Sequence, residues 1–278
     1  GLADCILGNH ELNAVIGRQR PENGWLRSEP QAFRGDRVEQ VYATSSEADE
    51  LIRFFDTLPI ALERDELRVV HAAWNDAAIE TLRTTRDGGV ASLFARLSDQ
   101  IQTRFGRDRW AEAIAEKNRL EESEETPQRA PDLVASYEST RQNDNPIKLL
   151  TSGPEAVGTP KKRGDRWGFM DRASWWNQYL GAPCVVGHYW RSYPPKSQRR
   201  GTDESLPSEG VFTGIHPTAA MGPTGAVYCI DYSVGRRYVE RLKDRRSDDG
   251  RAFAGRLAAL RWPERTLLFD DGETVAQH

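Results

Sequence analysis

Short apolar runs alternate along this chain with longer segments in which apolar residues recur at helical spacing. The runs that predict strands are residues 4–7, 147–150, 184–186 and 226–232. The segments that predict helices are residues 11–16, 45–57, 76–121 and 171–180, the third in about three pieces. This alternation predicts a fold of the α/β class in the wider, α+β sense.

Other stretches complete the pattern. Residues 60–63 and 67–70 flank a polar Arg-Asp-Glu step and predict a hairpin, and residues 253–262 and 266–269 predict a closing antiparallel pair. Residues 17–40 predict an irregular loop. Residues 121–146 are acidic, then polar and proline-containing, and predict a linker.

Composition narrows the class of protein. Apolar residues make up 38% and charged residues 29% of the chain, which is typical of a globular protein. The net charge of −4 argues against broad nucleic-acid binding, which needs a basic surface. No apolar run approaches the ~20 residues that span a bilayer, so we expect no membrane segment. The chain has an odd number of cysteines, Cys5, Cys184 and Cys229, and no two of them have C-x-x-C spacing. This pattern predicts three buried, reduced thiols in a cytoplasmic protein.

Three histidine-bearing motifs each follow an apolar run. They are G-N-H-E at residues 8–11, V-V-H-A at residues 69–72 and V-G-H-Y-W at residues 186–190. Ligand groups in α/β sheets cluster in the loops at the carboxyl ends of strands, so three such segments are able to converge on one site.

In this order the motifs resemble the calcineurin-like metallophosphoesterase superfamily, in particular bacterial members related to the serine/threonine protein phosphatases and the diadenosine tetraphosphatases. Those proteins carry G-D-x-H-G, G-D-x-x-D-R-G, G-N-H-E, a strand-end histidine and G-H. The chain matches the last three, and C-I-D-Y at residues 229–232 looks like the strand after G-H. Neither of the first two motifs occurs, so the chain is expected to be a C-terminal fragment, incomplete at its N-terminus.

The resemblance implies a fold and a chemistry. It implies one partial phosphoesterase domain over residues 1–278, with a two-sheet β core flanked by helices and residues 76–146 as a helical cap or insertion. The complete protein would hold two divalent metal ions, with Mn, Fe or Zn suited to these ligand types. Asn9, His71 and His188 would bind the second ion. His10 would be the general acid of a hydrolase that uses a bridging hydroxide.

The missing motifs would supply the carboxylates of the metal site. Asn9, His71 and His188 are all neutral ligands, which leave a divalent cation without charge compensation. We therefore expect one weak metal site or none in this chain, and little activity. The alternative is a non-catalytic remnant or binding module that keeps the metallophosphatase scaffold.

Further residues beside the motifs have two interpretations each. Arg191, Tyr189 and Trp74 are candidates for contacting the substrate, and packing or surface roles are the alternative. Glu11 and Asp231 are candidates for orienting metal ligands, and Glu11 is equally explained as a first-turn acid on a helix. The substrate class stays open between a phosphorylated small molecule, a dinucleoside polyphosphate and a phosphoprotein.

Overall fold

The computed structural model describes residues 3–26, 42–64, 66–85, 88–123, 125–163, 166–194, 210–237, 240 and 253–277. Within them the fold is mixed α/β, as the sequence predicts. Much of the loop predicted for residues 17–40 lies outside the described residues. No described helix combines the length and the apolar character that crossing a membrane requires.

The chain divides into two compact units. Of the described residues, unit 1 comprises 3–26, 42–61 and 73–173, and unit 2 comprises 62–72 and 174–277. The stretch predicted as a cap, residues 76–146, lies within unit 1. Its assignment as a cap on a single phosphoesterase domain stays a prediction.

Unit 1 is mainly helical. Its described helices are α1 (Asn9–Val15), α2 (Ser45–Asp56), α3 (Asp76–Thr84), α4 (Val90–Phe105), α5 (Arg107–Glu122), α6 (Asp132–Asn143) and α7 (Pro146–Ser152). An antiparallel hairpin of β3 (Glu155–Arg163) and β4 (Arg166–Arg172) follows them. The predictions of α1, of α2 and of three helical pieces before residue 122 are confirmed.

Packing and capping explain where these helices form. Leu12 of α1 and Leu97 of α4 are buried in one cluster with Leu7, Leu58, Val90 and Ile147. Thr44 caps α2, since its side chain accepts from the Glu47 amide and the Glu47 carboxylate accepts from the Thr44 amide.

Three predictions in unit 1 are wrong. Residues 4–7 form no strand, since the Leu7 amide donates to Pro59 at 2.9 Å without a continuing ladder. Residues 147–150 belong to α7, because Asn145 caps the helix and Pro146 occupies its first turn. The predicted linker 121–146 contains α6.

Helix α6 was missed because its buried face is partly polar. Glu138 is buried against Lys117 and Arg141, and Gln142 is buried with its amide donating to the Gly153 carbonyl at 2.8 Å. Most of the polar groups of these side chains are paired with one another or with the backbone, so the helix packs without the apolar stripe that periodicity detects.

Unit 2 is built on a four-stranded sheet. Its strands are β1 (Ala61–Arg64), β2 (Leu67–Val70), β5 (Cys184–Val186) and β6 (Val227–Cys229), in the order β1-β2-β5-β6. Strand β5 is parallel to both β2 and β6. The predicted strands and the β1–β2 pairing are confirmed. The helix predicted for residues 171–180 is wrong: β4 extends to Arg172, and only a short 3-10 helix, Trp175–Gln178, follows.

A second sheet closes the chain. Strands β7 (Ala258–Arg261), β8 (Thr266–Phe269) and β9 (Thr274–Ala276) pair antiparallel in that order, which confirms the predicted closing pair. Leu267 and Phe269 are buried with Tyr193 and Tyr232. Arg256 is 1% exposed, stacks on the Phe269 ring at 3.8 Å, and forms ion pairs with Asp271 and Glu273.

Candidate functional site

The candidate site of unit 2 lies at the carboxyl ends of its parallel strands. His71 directly follows β2, His188 lies two residues after β5, and Asp231 lies two residues after β6. The Gly187 amide donates to the His71 carbonyl at 3.0 Å, which ties the first two strand ends together. Because adjacent parallel strands end at the same edge, the sheet brings these three residues to one place.

The two histidines are neighbours. Their ring centroids are 5.4 Å apart and their planes are inclined by 68°. Two imidazoles that share one ion, with metal–nitrogen bonds of about 2.1 Å, have ring centres roughly 5 Å apart. The separation is compatible with two ligands of one cation, the role that the resemblance implies for His71 and His188, and that role stays a prediction.

The backbone at His188 is unusual. His188 has a φ of 62°, in the left-handed region that residues other than glycine seldom adopt. The Tyr189 amide donates to the Gly187 carbonyl at 2.6 Å, closing a tight turn around His188. Such strain, on the order of 1–3 kcal/mol, is frequent at functional sites, and Ser233 and Arg265 share a positive φ, so the turn supports a role for His188 only together with its motif.

Asp231 shapes the loop beside these histidines. Its carboxylate accepts from the Ser233 amide at 2.9 Å, and its carbonyl accepts from the Arg191 amide at 2.9 Å. These contacts favour a positioning role for Asp231. Within the described residues, no three His, Cys, Asp or Glu side chains are grouped so as to hold a metal ion.

The G-N-H-E motif, with the third predicted metal ligand and the predicted general acid, belongs to unit 1. Asn9 is the first residue of α1, and Gly8 before it has an extended backbone. Asn9 and Glu11 are half-buried and His10 is exposed. The His10 carbonyl accepts from the Asn23 amide group at 2.7 Å, which fixes the backbone of this motif. That Asn9 joins His71 and His188 around one ion stays a prediction.

Arg191 is built into the interior of unit 2. It is 1% exposed, and its terminal nitrogens donate to the carbonyls of Ala219 and His216 at 3.0 and 3.1 Å. Its guanidinium also lies 4.7 Å from the centre of the Phe212 ring. This arrangement favours a structural role, holding the 212–219 segment, over the predicted contact with a substrate.

The two aromatic candidates are also buried. Tyr189 is 0% exposed and makes edge contacts with the rings of Trp176 and His188, centred 5.1 and 5.2 Å away. Trp74, in unit 1, is 5% exposed and donates its indole N–H to Asp76 at 2.8 Å. Packing, the alternative given by the sequence, explains both positions. Trp190, which also directly follows a histidine motif, is 70% exposed.

The cysteine prediction holds for two of the three thiols. Cys184 and Cys229 are buried, and burial raises the pKa of the Cys229 thiol to about 11. Cys5 is exposed, so the prediction of a buried thiol there is wrong. Its place on an unpaired segment, rather than on a strand, accounts for the difference.

Unit 1 also contains a group of cationic side chains that the sequence analysis missed. The charges of Arg18 and Arg141 lower the pKa of Lys148, and the charge of Arg141 also lowers the pKa of Arg18, although these residues are far apart in the chain. They do not belong to any run of basic residues in the sequence. The basic run at residues 161–163 lies on β3.

Comparisons of the chain with known protein families, with curated proteins and with solved structures found no match.

Proposed function

We propose that this chain contributes to a metal-dependent phosphoesterase of the calcineurin-like type. The observation that carries the proposal is the His71–His188 pair, with ring centres 5.4 Å apart at the ends of adjacent parallel strands. A strained turn at a motif histidine supports it further. The alternative of a non-catalytic remnant or binding module is an outcome of the tests below.

Each residue has a distinct role in this proposal. His71 and His188 would hold the cation through ring nitrogens, and the ligand role that the resemblance implies for Asn9, in unit 1, stays a prediction. A divalent ion held there would supply Lewis acidity and a nucleophile at neutral pH. His10, exposed at the start of α1, donates a proton to the oxygen of the leaving group. Asp231 holds the loop next to His188.

The charge of the ligand set limits what this chain does alone. Two imidazoles and one amide leave both positive charges of the ion uncompensated. The chain contains no G-D-x-H-G or G-D-x-x-D-R-G motif to add carboxylates. We therefore propose one weak site for Mn or Zn and slow hydrolysis, in place of the tight pair of ions in a complete dinuclear centre.

Calorimetric titration of the 278-residue chain with Mn²⁺ and with Zn²⁺ tests the metal site. We expect weak binding of one ion that is lost in His71→Ala and in His188→Ala. The matched control is His216→Ala, since His216 is an exposed histidine of unit 2. Tight binding of two ions, or binding that survives both motif substitutions, would contradict the proposal.

Hydrolysis assays with excess Mn²⁺ test the reaction. The substrates are a phosphopeptide, a dinucleoside tetraphosphate and small phosphomonoesters, which represent the three open classes. His10→Ala is expected to slow the turnover of an alkyl phosphate more than that of p-nitrophenyl phosphate, whose leaving group needs no proton. An equal loss on both removes His10 as the proton donor. Metal binding without hydrolysis of any substrate favours the binding-module alternative.

A further inference from the structure

Unit 1 contains a group of positively charged side chains that nearby negative charges compensate only in part. Lys148, on α7, makes one hydrogen bond through its ammonium, to the Arg141 carbonyl at 3.3 Å, and no ion pair within the described residues. Burial, and then the charges of Arg141 and Arg18, lower the pKa of Lys148 to about 7. Helix α7 packs against both α1 and α6, so Lys148 lies in the same part of unit 1 as Arg18, three residues after α1, and Arg141, on α6.

Both arginines have hydrogen-bonding capacity to spare. The Arg18 guanidinium is half-buried and has no hydrogen bond or ion pair with any described residue. The Nε of Arg141 is buried without a partner, while its Nη2 donates to the Glu138 carboxylate at 3.2 Å. Buried donors without partners are rare in folded proteins, and each costs stability until a ligand or water satisfies it.

Nearby carboxylates do not cancel this charge. Glu138 and Glu155 raise the pKa of Lys148, but by less than burial and the two arginines lower it. Glu138 is already shared between Lys117 and Arg141. Arg20 and Arg166 are exposed and their charges also lower the pKa of Arg18, so the positive field extends to the surface. Such a gradient of potential attracts anions.

We propose that unit 1 binds a phosphate group between Arg18, Arg141 and Lys148. These residues offer several directional hydrogen-bond donors, namely the Arg18 guanidinium, the Arg141 Nε–H and the Lys148 ammonium. Such donors suit a multiply charged oxyanion. A chloride ion would leave most of them unused. The proposal is separate from the metal-dependent reaction, because it uses none of the histidines of the strand-end site.

Calorimetry on the metal-free chain, with EDTA present and ionic strength fixed by chloride, tests the site. Inorganic phosphate is expected to bind saturably, and Lys148→Met and Arg18→Gln are each expected to weaken binding roughly tenfold or more. Lys148→Met replaces the ammonium by an uncharged side chain at a position where burial makes a charge costly, so the variant is expected to fold. The matched control is Arg104→Gln, an exposed arginine of α4 paired with Asp144.

Two further readouts separate this site from others. At pH 8 phosphate binding is expected to take up protons, seen as different heats in buffers of different ionisation enthalpy, because the anion favours the charged form of Lys148. His188→Ala is expected to leave phosphate binding intact, which separates the site from the histidine pair. Adenosine monophosphate as a second ligand distinguishes a nucleotide phosphate, which would bind more tightly, from free phosphate.

The proposal is overturned if Lys148→Met and Arg18→Gln bind phosphate as tightly as the unaltered chain. It is also overturned if no saturable binding is measured, or if His188→Ala abolishes it. Failure here leaves the strand-end site untouched, since that site is tested by metal binding and by hydrolysis.

Discussion

The two units treat a buried cation in opposite ways. In unit 2, Arg256 is almost fully enclosed, but Asp271 and Glu273 bond to its terminal nitrogens and the Phe269 ring stacks on it. In unit 1, the Lys148 ammonium makes one long hydrogen bond, to a backbone carbonyl, and no ion pair with the described residues, and the charges of two arginines act on it. A buried charge that is paired with other residues of the protein has a structural role. A buried charge without an ion pair is able to bind a ligand of opposite charge.

The largest expected effect in this comparison comes from breaking the paired cation. Arg256→Met removes the ion pairs with Asp271 and with Glu273, whose side chain is 7% exposed, and removes the stack on Phe269. We expect the free energy of unfolding to fall by about 3–5 kcal/mol. Urea denaturation followed by fluorescence measures it. A loss below about 1 kcal/mol would show that the ion pair contributes no more than a surface pair.

Removing the unpaired cation is expected to have the opposite sign. Lys148→Met relieves the cost of placing an amine beside Arg18 and Arg141, so the variant should be more stable by roughly 2 kcal/mol near pH 7. The same denaturation experiment checks it, in phosphate-free buffer. A destabilised variant would mean that Lys148 already has full compensation in the fold.

The pH dependence of stability follows from the lowered pKa of Lys148. Between about pH 7 and pH 10.5, the ordinary pKa of a lysine side chain, the unfolded chain binds a proton at Lys148 that the folded chain does not. Unfolding then takes up a proton, so this residue makes stability rise with pH across that window, by up to about 1.4 kcal/mol per pH unit. Lys148→Met should flatten the rise. Equal slopes in both proteins would contradict it.

The smallest expected effect concerns the acid that partly offsets the cluster. Glu138→Gln removes one negative charge that raises the pKa of Lys148. We expect that pKa to fall by a few tenths, measured by NMR of a chain labelled at the lysine side chains. Phosphate binding should become slightly tighter, because the anion loses a competitor for Arg141. An increase in the Lys148 pKa would contradict this arrangement of charges.

The sequence predicts the two regions unequally well. The strand-end histidines were found because each follows an apolar strand, and parallel strands bring such ends together. Arg18, Arg141 and Lys148 follow no common element, so only tertiary packing reveals their proximity. Helix α6 was missed for a related reason, since Glu138 and Gln142 are buried through specific polar contacts that no periodicity reports. Local sequence patterns predict helices and strands, but they do not predict a cluster of charges that are distant in the sequence.

The left-handed backbone of His188 has a consequence for tolerance to substitution. A φ of 62° is sterically unfavourable for a β-branched residue. Glycine adopts this backbone conformation freely, and asparagine adopts it at little cost. A saturation library at position 188, sorted for abundance, should enrich glycine and asparagine over histidine and deplete valine and isoleucine. Sorting for metal retention should restore histidine to the top, and the gap between the two rankings would measure how far ligation outweighs foldability there.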